Sequence, residues 1–224
     1  MDLRKEVIIE NYNQILNDIK KYSPYPNKVK ILFVSKYFDI ENQKDLIKWG
    51  FDYFGENKAQ VYRDKIKVCN SEKIKWDFIG RLQKNKIKYI IASVNLIHSV
   101  DTLELLRELN QKAYEIGRHL NVLLQINISK EESKAGLFIE EFKKNSKEYF
   151  EFKYVTIKGF MTMAPHFEDS YKIDKNFSVL SNLLKEMKEY YPELEELSMG
   201  MSNDYIEALK NGATILRIGS KLFE

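Results

Sequence analysis

Short apolar runs alternate along this chain with stretches of helical periodicity. The clearest run is Val29-Lys30-Ile31-Leu32-Phe33-Val34-Ser35-Lys36, β-branched, mostly apolar and ended by a lysine. So apolar a run predicts a strand covered on both faces, as in a parallel sheet. Before it, Val7, Ile8, Ile15, Leu16 and Ile19 recur at helical spacing over about 3–22, and Pro24 and Pro26 stop that helix. After it, further strands are predicted at about 51–54, 76–79, 94–98, 121–127, 155–161 (interrupted by Gly159), 196–199 and 213–218. Helices are predicted between them at about 41–49, 58–70, 84–91, Asp101–Ile116 with Asp101 as cap, 138–148, 170–190 and 202–209. A polar loop from Ser129 to Gly136 follows the fifth strand.

Strict alternation of this kind implies parallel pairing with right-handed crossovers, and the repeat count implies closure. The fold class expected is α/β, a single (β/α)8 TIM barrel over residues 1–224. No room remains for a full helix after the last strand, so the extra N-terminal helix is expected to fill that place in the outer ring. An open doubly wound sheet is the alternative, but no Gly-x-Gly-x-x-Gly follows any predicted strand.

Composition narrows the function classes. Hydrophobic residues make up 44% and charged residues 31% of 224, ordinary for a soluble chain. The net charge of +3, with Lys and Glu interleaved, gives no argument for nucleic acid. One cysteine, Cys69, leaves no internal disulfide framework or multi-cysteine metal site, which suits a reducing cytoplasm. Met1 leads into charged residues rather than an apolar signal region, and no run is long enough to span a bilayer.

The candidate chemistry lies at predicted strand ends, the rim where barrels place their sites. Lys36 ends the first strand among apolar neighbours. Partial burial there would favour the neutral amine that an imine-forming lysine needs, whereas a solvated strand-end lysine is the plainer reading. Ser198-Met199-Gly200-Met201-Ser202-Asn203-Asp204 follows strand seven and Arg217-Ile218-Gly219-Ser220 ends strand eight, the two loops where barrels bind phosphate. Singly, Ser202 reads as an N-cap and the glycines as tight turns; together they read as a phosphate cup. Arg217 shares the face of Gly219 and pairs with either a ring nitrogen or a neighbouring acid. Pyridoxal 5′-phosphate (PLP), a phosphorylated aldehyde with a ring nitrogen, fits all three features. His98 lines the same face or simply packs. Met161 and Met163 read as core, with Met161 also within reach of a bound ring. Lys84-Asn85-Lys86-Ile87-Lys88 reads as a solvated face, or as a surface for an acidic partner enzyme.

The ordered pieces Val34-Ser35-Lys36, Phe54-Gly55-Glu56-Asn57, Phe78-Ile79-Gly80 with Leu82-Gln83-Lys84-Asn85-Lys86, and His98-Ser99-Val100-Asp101 carry a resemblance. So do Gln125-Ile126-Asn127-Ile128 with Glu132 to Leu137, Gly159-Phe160-Met161-Thr162-Met163-Ala164-Pro165, Ser198 to Asp204, and Arg217-Ile218-Gly219. With these, the chain resembles the pyridoxal phosphate homeostasis protein family over nearly its whole length. The resemblance implies a barrel like the N-terminal domain of alanine racemase. It implies that Lys36 carries PLP as an internal aldimine and that Arg217 faces the pyridine nitrogen. It implies phosphate contacts from Ser198, Met201, Ser202, Gly219 and Ser220, Asn57 near the cofactor, and Lys134 as a second cofactor-handling lysine. Where the family often has His, this chain has Asp77 and Arg81.

The function implied is a regulator that holds PLP, buffers its level and delivers it to PLP-dependent apoenzymes, without substantial catalysis. An amino-acid racemase or a Schiff-base aldolase is the alternative. Two-base racemisation needs a second base, which in alanine racemase is a tyrosine supplied in trans with help from a further β domain. No tyrosine in this sequence has an obvious rim position, and no residues remain after strand eight for that domain. Aldolase chemistry needs a nearby acid or base, for which Glu56 is the rim carboxylate to nominate. A monomer is expected.

Overall fold

Eight parallel strands close on one another in sequence order, with β8 pairing back to β1. They are β1 (Lys30–Val34), β2 (Tyr53–Glu56), β3 (Lys75–Phe78), β4 (Leu96–Val100), β5 (Leu120–Gln125), β6 (Val155–Met161), β7 (Glu196–Ser198) and β8 (Ile215–Ile218). The structure is a computed structural model that describes residues 3–69, 71–129, 135–163 and 169–224. The expected Lys134 and the Ala164-Pro165 step lie outside the described residues.

The helices follow the predicted order: α1 (Lys5–Tyr22), α2 (Ile40–Lys48), α3 (Ala59–Cys69), α4 (Leu103–Glu115), α5 (Ile139–Lys144), α6 (Ser146–Phe150), α7 (Ser170–Lys188) and α8 (Tyr205–Lys210). Three details differ from the expectation. The basic stretch at Lys84–Tyr89 is a 3-10 helix rather than an α-helix. The cap of α4 is Thr102, whose side chain accepts the Leu105 N–H at 3.1 Å, and not Asp101. The helix expected over 138–148 is broken at Asn145, where the backbone leaves the helical region.

α1 does fill the place after β8. It packs on α8 and on the 3-10 turn Ser220–Leu222, burying Ile8, Ile15 and Ile19. Asn11 donates to the Leu222 carbonyl at 3.3 Å, and Tyr205 donates to Asp18 at 2.7 Å. No described helix is long and apolar enough to cross a membrane.

Strand alternation divides the buried apolar residues in two. Outward positions such as Phe33, Trp76, Phe78, Ile97, Leu197 and Ile218 join the large shell between sheet and helices. Inward positions give a small separate layer of Leu32, Leu96, Leu123, Met161 and Ile215. Several other inward positions are polar, among them Asp77, His98, Ser198 and Arg217, all buried. The predicted interruption of β6 is a bulge: the register with β5 skips Lys158. A Cβ on Gly159 would stand 1.9 Å from the Glu196 carbonyl oxygen, so only glycine lets β6 and β7 approach there.

Candidate functional site

β1 ends at Val34, and the chain turns at once, Phe38 N–H donating to the Ser35 carbonyl at 3.0 Å. The turn is pinned by Phe38, which is buried with its ring against Phe33 and Phe223. Lys36 is thereby set on the rim. Of the two readings of Lys36, the plainer solvated one holds, because the turn carries its side chain out of the sheet. Lys36 is exposed, with Nζ 4.7 Å from the ring centroid of Tyr37. Tyr37 is thus a rim tyrosine that sequence reasoning passed over.

A cavity of about 650 Å³ opens at this rim, within the size range of small-molecule sites. It gathers Lys36, Asn57, Met201, Ser202, Arg217, Gly219 and Ser220, residues far apart in sequence. Lys36, Arg81 and Arg217 supply positive charge to its lining and Asp204 a carboxylate. The loop after β7 is shaped by Gly200, at φ +90°, where a Cβ would stand 2.6 Å from the Ala208 Cβ. Asp204 accepts the Met201 N–H. Ser202 Oγ accepts N–H bonds from Gly219 at 3.4 Å and Lys221 at 3.2 Å, tying the loops after β7 and β8 together.

Two of the residues expected to contact the cofactor lie below the cavity lining. Ser198 does not line the cavity. It is fully buried, its Oγ accepting from Arg217 Nη1 at 2.7 Å and lying 2.8 Å from His98 Nδ1. Its position on β7 points it into the barrel, one layer below the loop. Met161 likewise sits in the inner apolar layer, and Met163, two residues on, lines the cavity instead. His98 is also buried away from the cavity lining, between Ser198 and Asp77. Glu56, nominated as a rim acid, faces outward from the sheet. It is buried in an ion pair with Lys65.

Arg217 is the buried cation of the site. Nη2 donates to the Thr162 carbonyl at 2.8 Å, and its remaining N–H groups beyond these two bonds have no partner among the described residues. Burial lowers its pKa to about 10, opposed by the charge of Asp204. Burial raises the Asp204 carboxyl, opposed first by the Met201 N–H and then by Arg217.

These features fit a phosphorylated pyridine aldehyde. Asn57 Oδ1 is buried at the cavity with no partner among the described residues. The main-chain N–H groups of Ser202 and Asn203 have no described acceptor either, which suits an anion. A ring nitrogen can accept from Arg217, and the rim lysine can meet an aldehyde.

The sequence profile of the alanine racemase N-terminal domain matches residues 68–224. The pyridoxal phosphate homeostasis protein of Aquifex aeolicus is 36% identical over 198 residues, 88% of this chain and 87% of that protein. Solved structures of PipY from Synechococcus elongatus superpose without PLP at a TM-score of 0.87 and with PLP bound at 0.86, each at 28% identity. Both alignments cover 97% of this chain and 100% of PipY.

Proposed function

This chain belongs to the pyridoxal phosphate homeostasis proteins, built on the alanine racemase N-terminal-domain fold, and from that premise we propose that it binds PLP in the rim cavity and buffers or delivers it. Bound PLP supplies an aldehyde that condenses with an amine and a ring that withdraws electrons. Lys36 is the residue for covalent attachment, and its exposure leaves it reachable by incoming cofactor. The Ser202 and Asn203 amides, with Gly219 and Ser220 alongside, hold the phosphate. Asn57 offers its free Oδ1 to a donor on the ligand.

Arg217 holds the ring nitrogen. The observation that carries the reading is the way this arginine is bound: buried, opening on the cavity, and hydrogen-bonded among the described residues only to neutral acceptors. A guanidinium only donates, so it offers the nitrogen a hydrogen bond and no carboxylate to stabilise a ring proton. That weakens electron withdrawal and favours carriage over catalysis. Glu56, locked to Lys65 outside the barrel, supports the same side. Delivery to PLP-dependent apoenzymes, a monomeric state and a cytoplasmic location, which the free buried Cys69 suits, belong to the same proposal.

The test is an absorbance titration with PLP, before and after borohydride, on the wild type and Lys36→Ala. A band near roughly 420 nm that borohydride fixes, absent in the variant, is the expected result. No band in wild type at saturating PLP overturns the reading. Amino-acid racemisation or aldol cleavage at ordinary enzymatic rates, on the order of 1 per second or more, overturns the carrier role.

A further inference from the structure

A line of buried hydrogen bonds runs through the barrel interior from its N-terminal mouth to Arg217. At the mouth, Tyr53 and Asn95 line a cavity of about 450 Å³. Tyr53 donates its phenol hydrogen to Asp77 Oδ2, and Asn95 Nδ2 donates to Asp77 Oδ1 at 2.7 Å. Burial and the Asp77 charge both raise the Tyr53 phenol, which keeps it a donor. Asp77 Oδ2 is 2.9 Å from His98 Nε2. His98 Nδ1 is 2.8 Å from Ser198 Oγ, which Arg217 reaches at 2.7 Å.

With Asp77 ionised and His98 neutral, donor and acceptor rules fix the direction of every bond in this line. Arg217 can only donate, so Ser198 Oγ accepts. Asp77 as a carboxylate can only accept, so His98 Nε2 carries the hydrogen. A neutral imidazole then leaves Nδ1 bare, and the Ser198 hydroxyl donates to it. With the hydroxyl hydrogen drawn toward His98, the lone pairs of Ser198 stay turned to Arg217. Without Asp77, the opposite tautomer would donate from Nδ1, and the Ser198 hydrogen would be free to turn against the guanidinium.

We propose that Asp77 is a positioning residue for Arg217, acting through His98 and Ser198 to fix how the guanidinium is presented to the rim cavity. The effect on bound cofactor rests on the PLP reading above; the tautomer of His98 does not.

The experiment compares wild type, Asp77→Asn and Asp77→Leu. Leucine fills the same space in the barrel without an acceptor; asparagine keeps an acceptor toward His98. The first reading is the side-chain nitrogen NMR spectrum of His98 without PLP. Expected are the Nε2–H tautomer in wild type and D77N, and its loss in D77L. The second is PLP affinity and the absorbance of the bound form. D77L is expected to weaken PLP by about tenfold, the worth of one charge-assisted hydrogen bond, and to shift the band, with D77N close to wild type. A wild-type His98 protonated at Nδ1 overturns the proposal without any variant, so a D77L protein that fails to fold does not shelter it. A D77L protein that loses the tautomer yet binds PLP with unchanged affinity and spectrum also overturns it. If wild type binds no PLP while His98 holds the expected tautomer, the PLP reading has failed, and the proposed effect on Arg217's ligand is overturned with it.

Discussion

Two buried cations stand at neighbouring points of this barrel and are held in opposite ways. Lys65 lies outside the sheet, almost fully buried, donating to Glu56 Oε1 and to the Ser35 carbonyl at 2.7 Å. Arg217 lies inside, bound by a serine hydroxyl and a carbonyl, with the charge of Asp204 acting on it through space. Lys65 has its charge cancelled by direct contact, and it braces the backbone one residue before Lys36. Arg217 keeps charge and donors in reserve for whatever enters the cavity. A buried ion pair closed on itself contributes to architecture, while a buried cation held by neutral acceptors marks a place made for a ligand.

Breaking the closed pair should cost most. Lys65→Met strands the Glu56 carboxylate in the shell, and a loss of about 3–5 kcal/mol in urea unfolding is expected. Adding Glu56→Leu should recover most of it, leaving about 1 kcal/mol for the Ser35 groups that lose partners. A double variant as unstable as the single one would show that the pair is not a closed unit. Arg217→Met should cost less, about 1–3 kcal/mol for the acceptors on Ser198 and Thr162, yet abolish measurable PLP binding by absorbance titration. If that variant binds PLP as wild type does, the reserved charge has no role.

Asp204→Asn gives the smallest and most particular effect. The raised carboxyl means that the folded state keeps this proton to higher pH than the unfolded chain does. Stability from this group therefore falls as pH rises from the ordinary carboxylate value toward the raised one. The stability difference, wild type minus D204N, should decline across that window in denaturation at a series of pH values. A flat or rising difference would contradict the burial cost assigned to Asp204.

Apolar periodicity was enough to read the barrel and the strand-end position of Lys36, because burial on both faces writes itself into local sequence. The residues at the ends of β1, β7 and β8 were legible for the same reason, since topology alone sends those ends to one rim. Depth was not legible. Ser198 and Met161 belong to the right strands, but whether a strand-end side chain reaches the cavity or stops one layer below depends on strand tilt and on the bulge at Gly159. Alternation along β3 placed Asp77 on one face with Ile79, yet nothing local could say that His98 on β4 and Ser198 on β7 would meet it in line.

The sequence by itself determined the alternation, the closure and the strand ends that meet at the rim. Only the tertiary structure decided which carboxylate answers which cation: Glu56 turned outward to Lys65, Asp77 inward to His98. The reason is physical. Periodicity encodes which face a residue takes, whereas hydrogen-bond partners are chosen by distances of about 3 Å between strands, set only when the barrel closes.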